Sequence, residues 1–544
     1  MHDLVSSPPI ISEQSTSVAP VSNRGRSAFT PMRLLGLAIG AVFAGPAVFV
    51  VWRTLRLGAS LTEVLGEIPA PLWRTVQLAV LVSATTAILG TGLAWVTMRT
   101  DLPLRRAWRV VLVLPLVLPS FVGAAAFIAG LSPGGIIHDA LGLVGLSPPR
   151  RFRGLGASWL VLSAFTYPYV MLPVMARIVS LRSSLEESGR LLGLSATRAF
   201  ARITLPQLKP AILGGSLLVF LYTVSDFGAV QLLGYDTLTR VIYATRQTNR
   251  ALSFASATVL LILALGIVAL ERSRRGRGGP DDRVAASTAP PVNLGWRAIP
   301  ALAACGFVAV IGLFVPLLSL GTWARRGLAD GRVSLADLID PAISTATVAV
   351  TAAVLGVVVV LPIAISSIRR PHRISQVSSI SVVVGFAIPG LVIALSLAVL
   401  TLNTPIFNRF YQTMGLLIVA YIIHFGSQAL AGTETAVRAV PAGLRESSKL
   451  LEPGRFRRAL RIDLPLMRPG LAAAGGLVML STIKELPITL LLSPIGFSTL
   501  STNIWASYEE GFYAATGLAS LVLVAMSAIL TWILVLRPSE AVSS

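Results

Sequence analysis

Leu181–Pro210 reads LRSSLEESGRLLGLSATRAFARITLPQLKP, a charged, helix-forming island between two long apolar runs. From Leu185 onward it recurs 259 residues later, where Leu444–Pro469 reads LRESSKLLEPGRFRRALRIDLPLMRP. In each copy a Glu, Glu187 or Glu446, is followed sixteen residues on by Ile-x-Leu-Pro, at Ile203–Pro206 and Ile462–Pro465. A second Pro, Pro210 or Pro469, comes four residues later. The flanking runs are about 20 residues long, enough to cross a hydrocarbon core of about 30 Å. A membrane chain that carries one polar loop twice, in step, presents it twice to something.

Within the first copy, Ser183 and Ser184 stand three residues before Glu186 and Glu187, the spacing of a capping box. Leu181, Leu185 and Leu192 give the helix an apolar side, and Gly193 suits the left-handed conformation that ends it. Ser195 then suits the cap of a second helix, SATRAFARITL. Pro206 and Pro210 limit how far that helix continues unkinked, at the point where the next span enters the membrane. The expected product is a helix–turn–helix on the membrane face. The second copy departs at one point, with Glu452 where the first has Gly193. A non-Gly residue in the left-handed region costs about 1–2 kcal/mol, but Pro453-Gly454 follows and offers another way to turn.

The rest of the chain has the composition of a membrane protein: 544 residues, 54% hydrophobic and 13% charged. One Cys, Cys305, excludes an intramolecular disulfide and a Cys-based metal cluster. The net charge of +21 is almost wholly arginine, since Lys209, Lys449 and Lys484 are the only lysines. Basic loops that hold spans in place explain this balance better than nucleic acid does, and no nucleic-acid partner is expected. Residues 1–30 read as a disordered cytoplasmic tail without the layout of a signal peptide.

Hydropathy gives six spans in the first half, at about 34–52, 76–98, 110–130, 157–180, 211–233 and 252–270. The second half gives six more, at about 299–320, 343–366, 379–401, 414–436, 471–492 and 514–536. The expected fold is therefore an all-α polytopic membrane protein of about twelve helices in two repeats, 31–272 and 297–538. A Gly- and Pro-rich linker, 273–296, joins them, and 539–544 is a short tail. The halves also match outside the loop: Thr75 and Pro119 correspond to Thr345 and Pro389, and TVSDFGA (Thr223–Ala229) to TIKELPI (Thr482–Ile488). An even number of spans per half makes the repeats parallel, related by an axis along the membrane normal. Arginines at Arg99–Arg109, Arg272–Arg277 and Arg369–Arg373 fall on one side if both termini are cytoplasmic, and both loops then fall there too. Arg150, Arg151, Arg153, Arg240, Arg246 and Arg250 run against that rule.

Asp226 and Glu485 occupy equivalent places in matched spans. Ionisable groups at such depth cost about 2.5–3.5 kcal/mol on insertion scales and face a cavity or a partner. One reading has the pair lining the outer part of a central pathway, as hard oxygen ligands for a passing cation. The other has Glu485 paired to Lys484 and Asp226 capping a broken helix near Gly228.

The repeated loop resembles the signature cytoplasmic loop of ABC importer permeases: Glu-Ala-Ala, three residues, Gly, nine residues, Ile-x-Leu-Pro. The first copy keeps that spacing as Glu187-Ser188-Gly189, Gly193 and Ile203-Thr204-Leu205-Pro206, with both alanines replaced. The resemblance implies a coupling helix that docks in a cleft of an ATPase subunit. Glu186, Glu187, Gly193, Ile203, Leu205 and Pro206 would then form one docking loop, and Glu446, Ile462, Leu464 and Pro465 the other. Thr100–Arg109, Leu114–Ile128, Phe165–Val170 and Ser225–Arg240, together with the fused halves, look like the ferric-iron importer permeases. Thiamine and some aminoethylphosphonate importer permeases share the fused layout.

By this resemblance the chain would be the permease subunit of an ATP-driven importer in a bacterial inner membrane. Its partners would be two ABC ATPase subunits, an extracytoplasmic binding protein and the lipid bilayer. ATP and Mg would bind the ATPase subunits, and no cofactor is expected on this chain. No Gly-x4-Gly-Lys-Ser/Thr loop occurs, so the ATPase activity is expected elsewhere and the chain is not itself an enzyme. His2, His138, His372 and His424 are scattered without metal-ligand spacing, and no resident metal site can be read. A secondary transporter driven by protonation of Asp226 and Glu485 would explain the repeat and the carboxylates, but not two matched loops.

Overall fold

The computed structural model describes residues 31–58, 60–147, 151–181, 188–189, 191–274, 292–369, 371–441, 443–444, 446–447 and 454–533. Glu186, Glu187 and Glu452 lie outside the described residues. The principal helices of the first half are α1 (Pro31–Leu57), α2 (Pro69–Arg99), α3 (Arg105–Val111), α4 (Ser120–Leu131), α5 (Leu155–Thr166), α6 (Pro168–Ser180), α7 (Leu205–Ser225), α8 (Gly228–Leu232), α9 (Leu238–Thr245) and α10 (Arg250–Arg274). Those of the second half are α11 (Ala298–Ala309), α12 (Val315–Ala329), α13 (Ile339–Arg369), α14 (Arg373–Ala387), α15 (Gly390–Asn403), α16 (Met414–Arg438), α17 (Leu464–Ile483), α18 (Pro487–Leu492), α19 (Leu500–Glu509) and α20 (Tyr513–Thr531). Among the described residues, ten helices are long and apolar enough to cross a membrane, or up to twelve if each of two bent pairs is one span. The described residues form helices and no strands, apart from one isolated bridge between Thr100 and Val292.

The bent pairs correct the sequence reading, which drew 110–130 and 379–401 as continuous spans. Arg105–Val117 and Ser120–Leu131 meet at 97°, and Arg373–Ala387 and Gly390–Asn403 at 103°. The cause is the matched proline. A residue before proline is driven out of the α region, and Leu118 (φ −80, ψ 126) and Ile388 (φ −77, ψ 122) are both extended. Pro119 and Pro389 are extended as well, so two residues in a row leave the helix.

A second correction concerns the spans expected at 211–233 and 471–492. Their helices end at Ser225 and Ile483, and short helices α8 and α18 follow after the break. Their starts also differ from expectation, because the loop's second helix is not separate from the span. It runs into α7 through a π turn at Phe200–Thr204 and into α17 through another at Ala459–Asp463, 259 residues on. Leu205 N–H reaches the Phe200 carbonyl and Leu464 N–H the Ala459 carbonyl. Pro206 and Pro465 have no N–H for the carbonyl four residues back and would crowd it in a regular α turn. The wider turn accommodates them.

Two matched threonines fix the same joint in both halves. Thr75 donates to the Pro71 carbonyl (2.7 Å) and accepts the Leu238 N–H at the start of α9 (2.9 Å). Thr345 donates to the Pro341 carbonyl (2.6 Å) and accepts the Leu500 N–H at the start of α19 (2.9 Å). Each buried hydroxyl so satisfies an N–H that the first turn of a helix leaves open. The halves are also interlocked. α1 packs on α14 of the other half, and α12 packs on α4. Gly36 and Gly40 approach Ser378 and Ser381, and the Phe43 ring fills the space above Gly385 and Gly426.

Candidate functional site

The breaks at Pro119, Pro389, Asp226 and Glu485 converge between the halves. They surround a cavity of about 210 Å³ whose lining includes Ser120, Asp226, His424, Lys484 and Glu485. Asp226 follows the last residue of α7 in extended conformation (φ −64, ψ 128). Its Oδ1 accepts the N–H groups of Ala229 (3.0 Å) and Val230 (3.4 Å), and its Oδ2 accepts from Ser120 Oγ of α4. The carboxylate thus caps α8 beside the break, as one of the two readings had it, and also lines the cavity. Thr239 Oγ1 donates to the Asp226 carbonyl (2.8 Å) and ties the break to α9.

Glu485 repeats the arrangement with a longer side chain, its Oε1 accepting the Ile488 N–H at 3.1 Å. Gly390 stands where the first half has Ser120, and a Cβ there would come within 2.9 Å of Glu485 Oε1 and 3.4 Å of His424 Nε2. The Glu485 carboxylate thus stands close to where a side chain at position 390 would begin. Lys484 is turned away from its neighbour: its Nζ donates to the Leu116 carbonyl of the first half at 3.1 Å. His424 lines the cavity from α16 with Nδ1 buried and lacking a partner among the described residues, and Gln428 accepts from Ser481 at 2.8 Å. Tyr169 and Tyr222 pack ring against ring, 5.8 Å between centroids, at the wall. Phe227 and Trp505 pair across the halves at 5.4 Å. Among the described residues, no three His, Cys, Asp or Glu side chains converge as a metal cage. The cavity offers separated oxygens to a cation.

The described residues of the repeated loops lie apart from this cavity. Gly193 has φ +90, in the left-handed region, and Leu194 N–H bonds the Gly189 carbonyl (3.1 Å), the six-to-one closure of a helix C-terminus. Gly189 lets the Ile203 side chain close in, since a Cβ there would lie 2.4 Å from Ile203 Cδ1 and turn that methyl aside. The next helix starts at Ala196, just after Ser195. Leu191 and Leu192 are 89% and 86% exposed, an apolar pair among the described residues of this loop. Ile203 sits in the π turn, and Leu205 and Pro206 open α7; Ile462, Leu464 and Pro465 repeat these places, and Glu446 is exposed. Sequence reasoning missed the ion pair beneath the second loop, Arg369 to Asp463 at 2.9 Å, with side chains only 14% and 7% exposed. It also missed Ser120, although the matched Pro119 beside it marked the spot.

Two matched helical halves that close on a polar cavity, each with a polar loop at the foot of its fifth span, are the layout of a transmembrane permease. The family of binding-protein-dependent transport system inner membrane components matches at residues 86–271 and again at 354–538, and the chain belongs to that family. It is 27% identical over 517 residues to the Fe(3+)-transport system permease protein FbpB 2 of Haemophilus influenzae, covering 92% of this chain and 97% of that protein. It is also 27% identical over 266 residues to a putative 2-aminoethylphosphonate transport system permease protein, PhnU, of Salmonella paratyphi A, covering 45% of this chain and 90% of PhnU. With the molybdenum transport system permease protein ModB of Escherichia coli it shares 26% identity over 211 residues, covering 37% of this chain and 91% of ModB. The chain is a multi-pass inner-membrane permease component of an ABC importer that works with a binding protein.

Proposed function

We propose that the chain carries ferric iron inward along a path that passes Asp226 and Glu485. Two ATPase subunits, which bind ATP and Mg, sit on the loops at Leu181–Pro210 and Leu444–Pro469, and an extracytoplasmic binding protein delivers the cargo to the opposite face. Both termini are cytoplasmic, as the arginine distribution favours. The observation that carries this reading is the convergence of one carboxylate from each half on a single cavity between them. Two carboxylates favour a cation over a phosphonate, and the full-length likeness to an Fe(3+)-transport permease points to iron among cations. The exposed Leu191 and Leu192 beside the Gly193 turn support an apolar docking surface on the first loop.

The test is uptake of radiolabelled iron by cells whose only importer is this permease with its partners. Asp226→Asn with Glu485→Gln is expected to lower uptake by about tenfold or more, a loss of at least 1.4 kcal/mol, with unchanged protein in the membrane. Unchanged uptake would sink the pathway assignment. Labelled thiamine and 2-aminoethylphosphonate, offered in the same assay, decide the cargo. Depleting ATP while keeping the proton gradient separates an ATP-driven importer, which stops, from a proton-coupled carrier, which continues.

A further inference from the structure

Lys484 is not explained by a path for cations, because an ammonium in that path repels the cargo. It is also not explained as packing. The side chain is half-buried at the cavity wall and bonds a carbonyl of the other half, which an apolar side chain of similar volume could not do. Its surroundings are specific. The Leu116 carbonyl lies in the 3-10 turn Leu114–Val117 just before the first break. The residue three positions on is Pro119, which has no N–H to return, and the 97° bend carries Ser120 away into α4. Leu116 therefore needs a donor from outside its own helix, and Lys484 Nζ reaches across from the other half at 3.1 Å. Ser225 stands at the position of the first half that matches Lys484, so the ammonium is supplied from one side only. Lys484 also shares the cavity with Asp226 and Glu485. It brings the formal charge of that lining from −2 to −1.

We propose that Lys484 is a built-in cation latch. With no cargo in the cavity, its ammonium fastens α17 of the second half to the bend of the first and offsets the charge of the two carboxylates. An entering metal cation takes over that charge balance and drives the ammonium from Leu116, freeing the halves to part. The latch keeps the empty permease closed to stray cations. This rests on the assignment of Asp226 and Glu485 to the pathway.

The experiment uses the full transporter, permease with its ATPase subunits, in calcein-loaded vesicles with ferrous ion added outside and no ATP. Lys484→Met and Lys484→Gln are compared with the native protein. Gln retains a donor for the Leu116 carbonyl and guards against a variant that fails to fold. Both are expected to raise the rate of calcein quenching about fivefold or more, the lower end of a coupling between sites, whereas Lys484→Arg stays near the native rate. Native-rate quenching in both neutral variants overturns the latch, as does equal leakage from the Arg variant. Iron uptake by the Asp226→Asn, Glu485→Gln permease is measured in parallel. If that double variant transports normally the pathway assignment falls, whatever Lys484 does. If it loses transport while the Lys484 variants do not leak, the pathway stands and the latch alone falls.

Discussion

Gly390 and Ser120 show how the two halves reach one design with different residues. In the first half a short acid, Asp226, is met by the Ser120 hydroxyl; in the second a longer acid, Glu485, fills the space left by a glycine. The pairs should therefore be exchangeable only together. Gly390→Ala puts a methyl within 2.9 Å of Glu485 Oε1 and displaces the carboxylate from the Ile488 N–H. A hydrogen bond to a charged group is worth about 1.5–3 kcal/mol, so transport is expected to fall about tenfold or more. Gly390→Ser combined with Glu485→Asp rebuilds the first-half pair and is expected to recover most of the activity. If the double variant is no better than the single, the two sites are not interchangeable in this sense. Gly193 makes a second prediction at this scale. Its φ of +90 strains any L side chain, so Gly193→Ala costs about 1–2 kcal/mol. Retention of the ATPase subunits on purification should drop, whereas Glu452→Ala, at the aligned position of the other loop, should leave it unchanged.

Helices were legible in the sequence and most of their interruptions were not. Runs of about 20 apolar residues announce a span, and the repeat of Ile-x-Leu-Pro located the foot of α7 and α17. Hydropathy does not register where an apolar run turns a corner, so the breaks at Pro119, Pro389 and Glu485 vanished into continuous spans, and the one at Asp226 entered only as one of two readings of that carboxylate. The prolines were matched between halves but read as landmarks rather than as bends. Asp226 and Glu485 could be found because carboxylates in apolar sequence stand out. Ser120 and Gly390 were passed over, because a small residue beside a proline is ordinary unless the matched prolines are read as bends. The π turns and the Arg369–Asp463 pair escaped for a related reason, since both depend on the loop helix running straight into the span. That pair fastens the π turn Ala459–Asp463 to the end of α13, and the matching residues of the first half, Arg99 and Thr204, cannot form an ion pair. Asp463→Ala strands a guanidinium that is only 14% exposed. The expected loss is about 3–5 kcal/mol, read as a lower unfolding midpoint of the purified permease. Replacing both partners, Arg369→Met with Asp463→Leu, should return the midpoint to native or above, while ATPase stimulation by the loaded binding protein changes. An unaltered midpoint in the single variant would mean that the pair contributes nothing to that junction.

At the scale of the whole molecule, what joins the halves is interlocking rather than the linker. α1 packs on α14 of the other half as well as on α10 of its own, and α12 packs on α4 as well as on α20. Within a bilayer, such contacts gain little from hiding apolar surface, because lipid tails are equally apolar. They depend on close packing at small residues. The α1 contact has that character: Gly36 and Gly40 lie against Ser378 and Ser381, and the Phe43 ring, 1% exposed, occupies the room left by Gly385 and Gly426. The cavity supplies further ties, Lys484 to Leu116 and Phe227 to Trp505. Near the end of the linker, Val292 bonds Arg99 and Asp101 through backbone groups (2.7 and 3.2 Å), which ties that end of the linker to the first half. A protease site inserted between Arg274 and Val292 is therefore expected to yield two fragments that stay together in mild detergent and still transport. Phe43→Ala in the cut protein should part them, because emptying a buried phenylalanine site costs about 3–5 kcal/mol and no peptide bond then limits separation. The same substitution in the uncut chain should leave the halves associated. Fragments that separate on cleavage alone would show the linker to be the principal tie, and fragments that stay together despite Phe43→Ala would move the tie to the cavity walls.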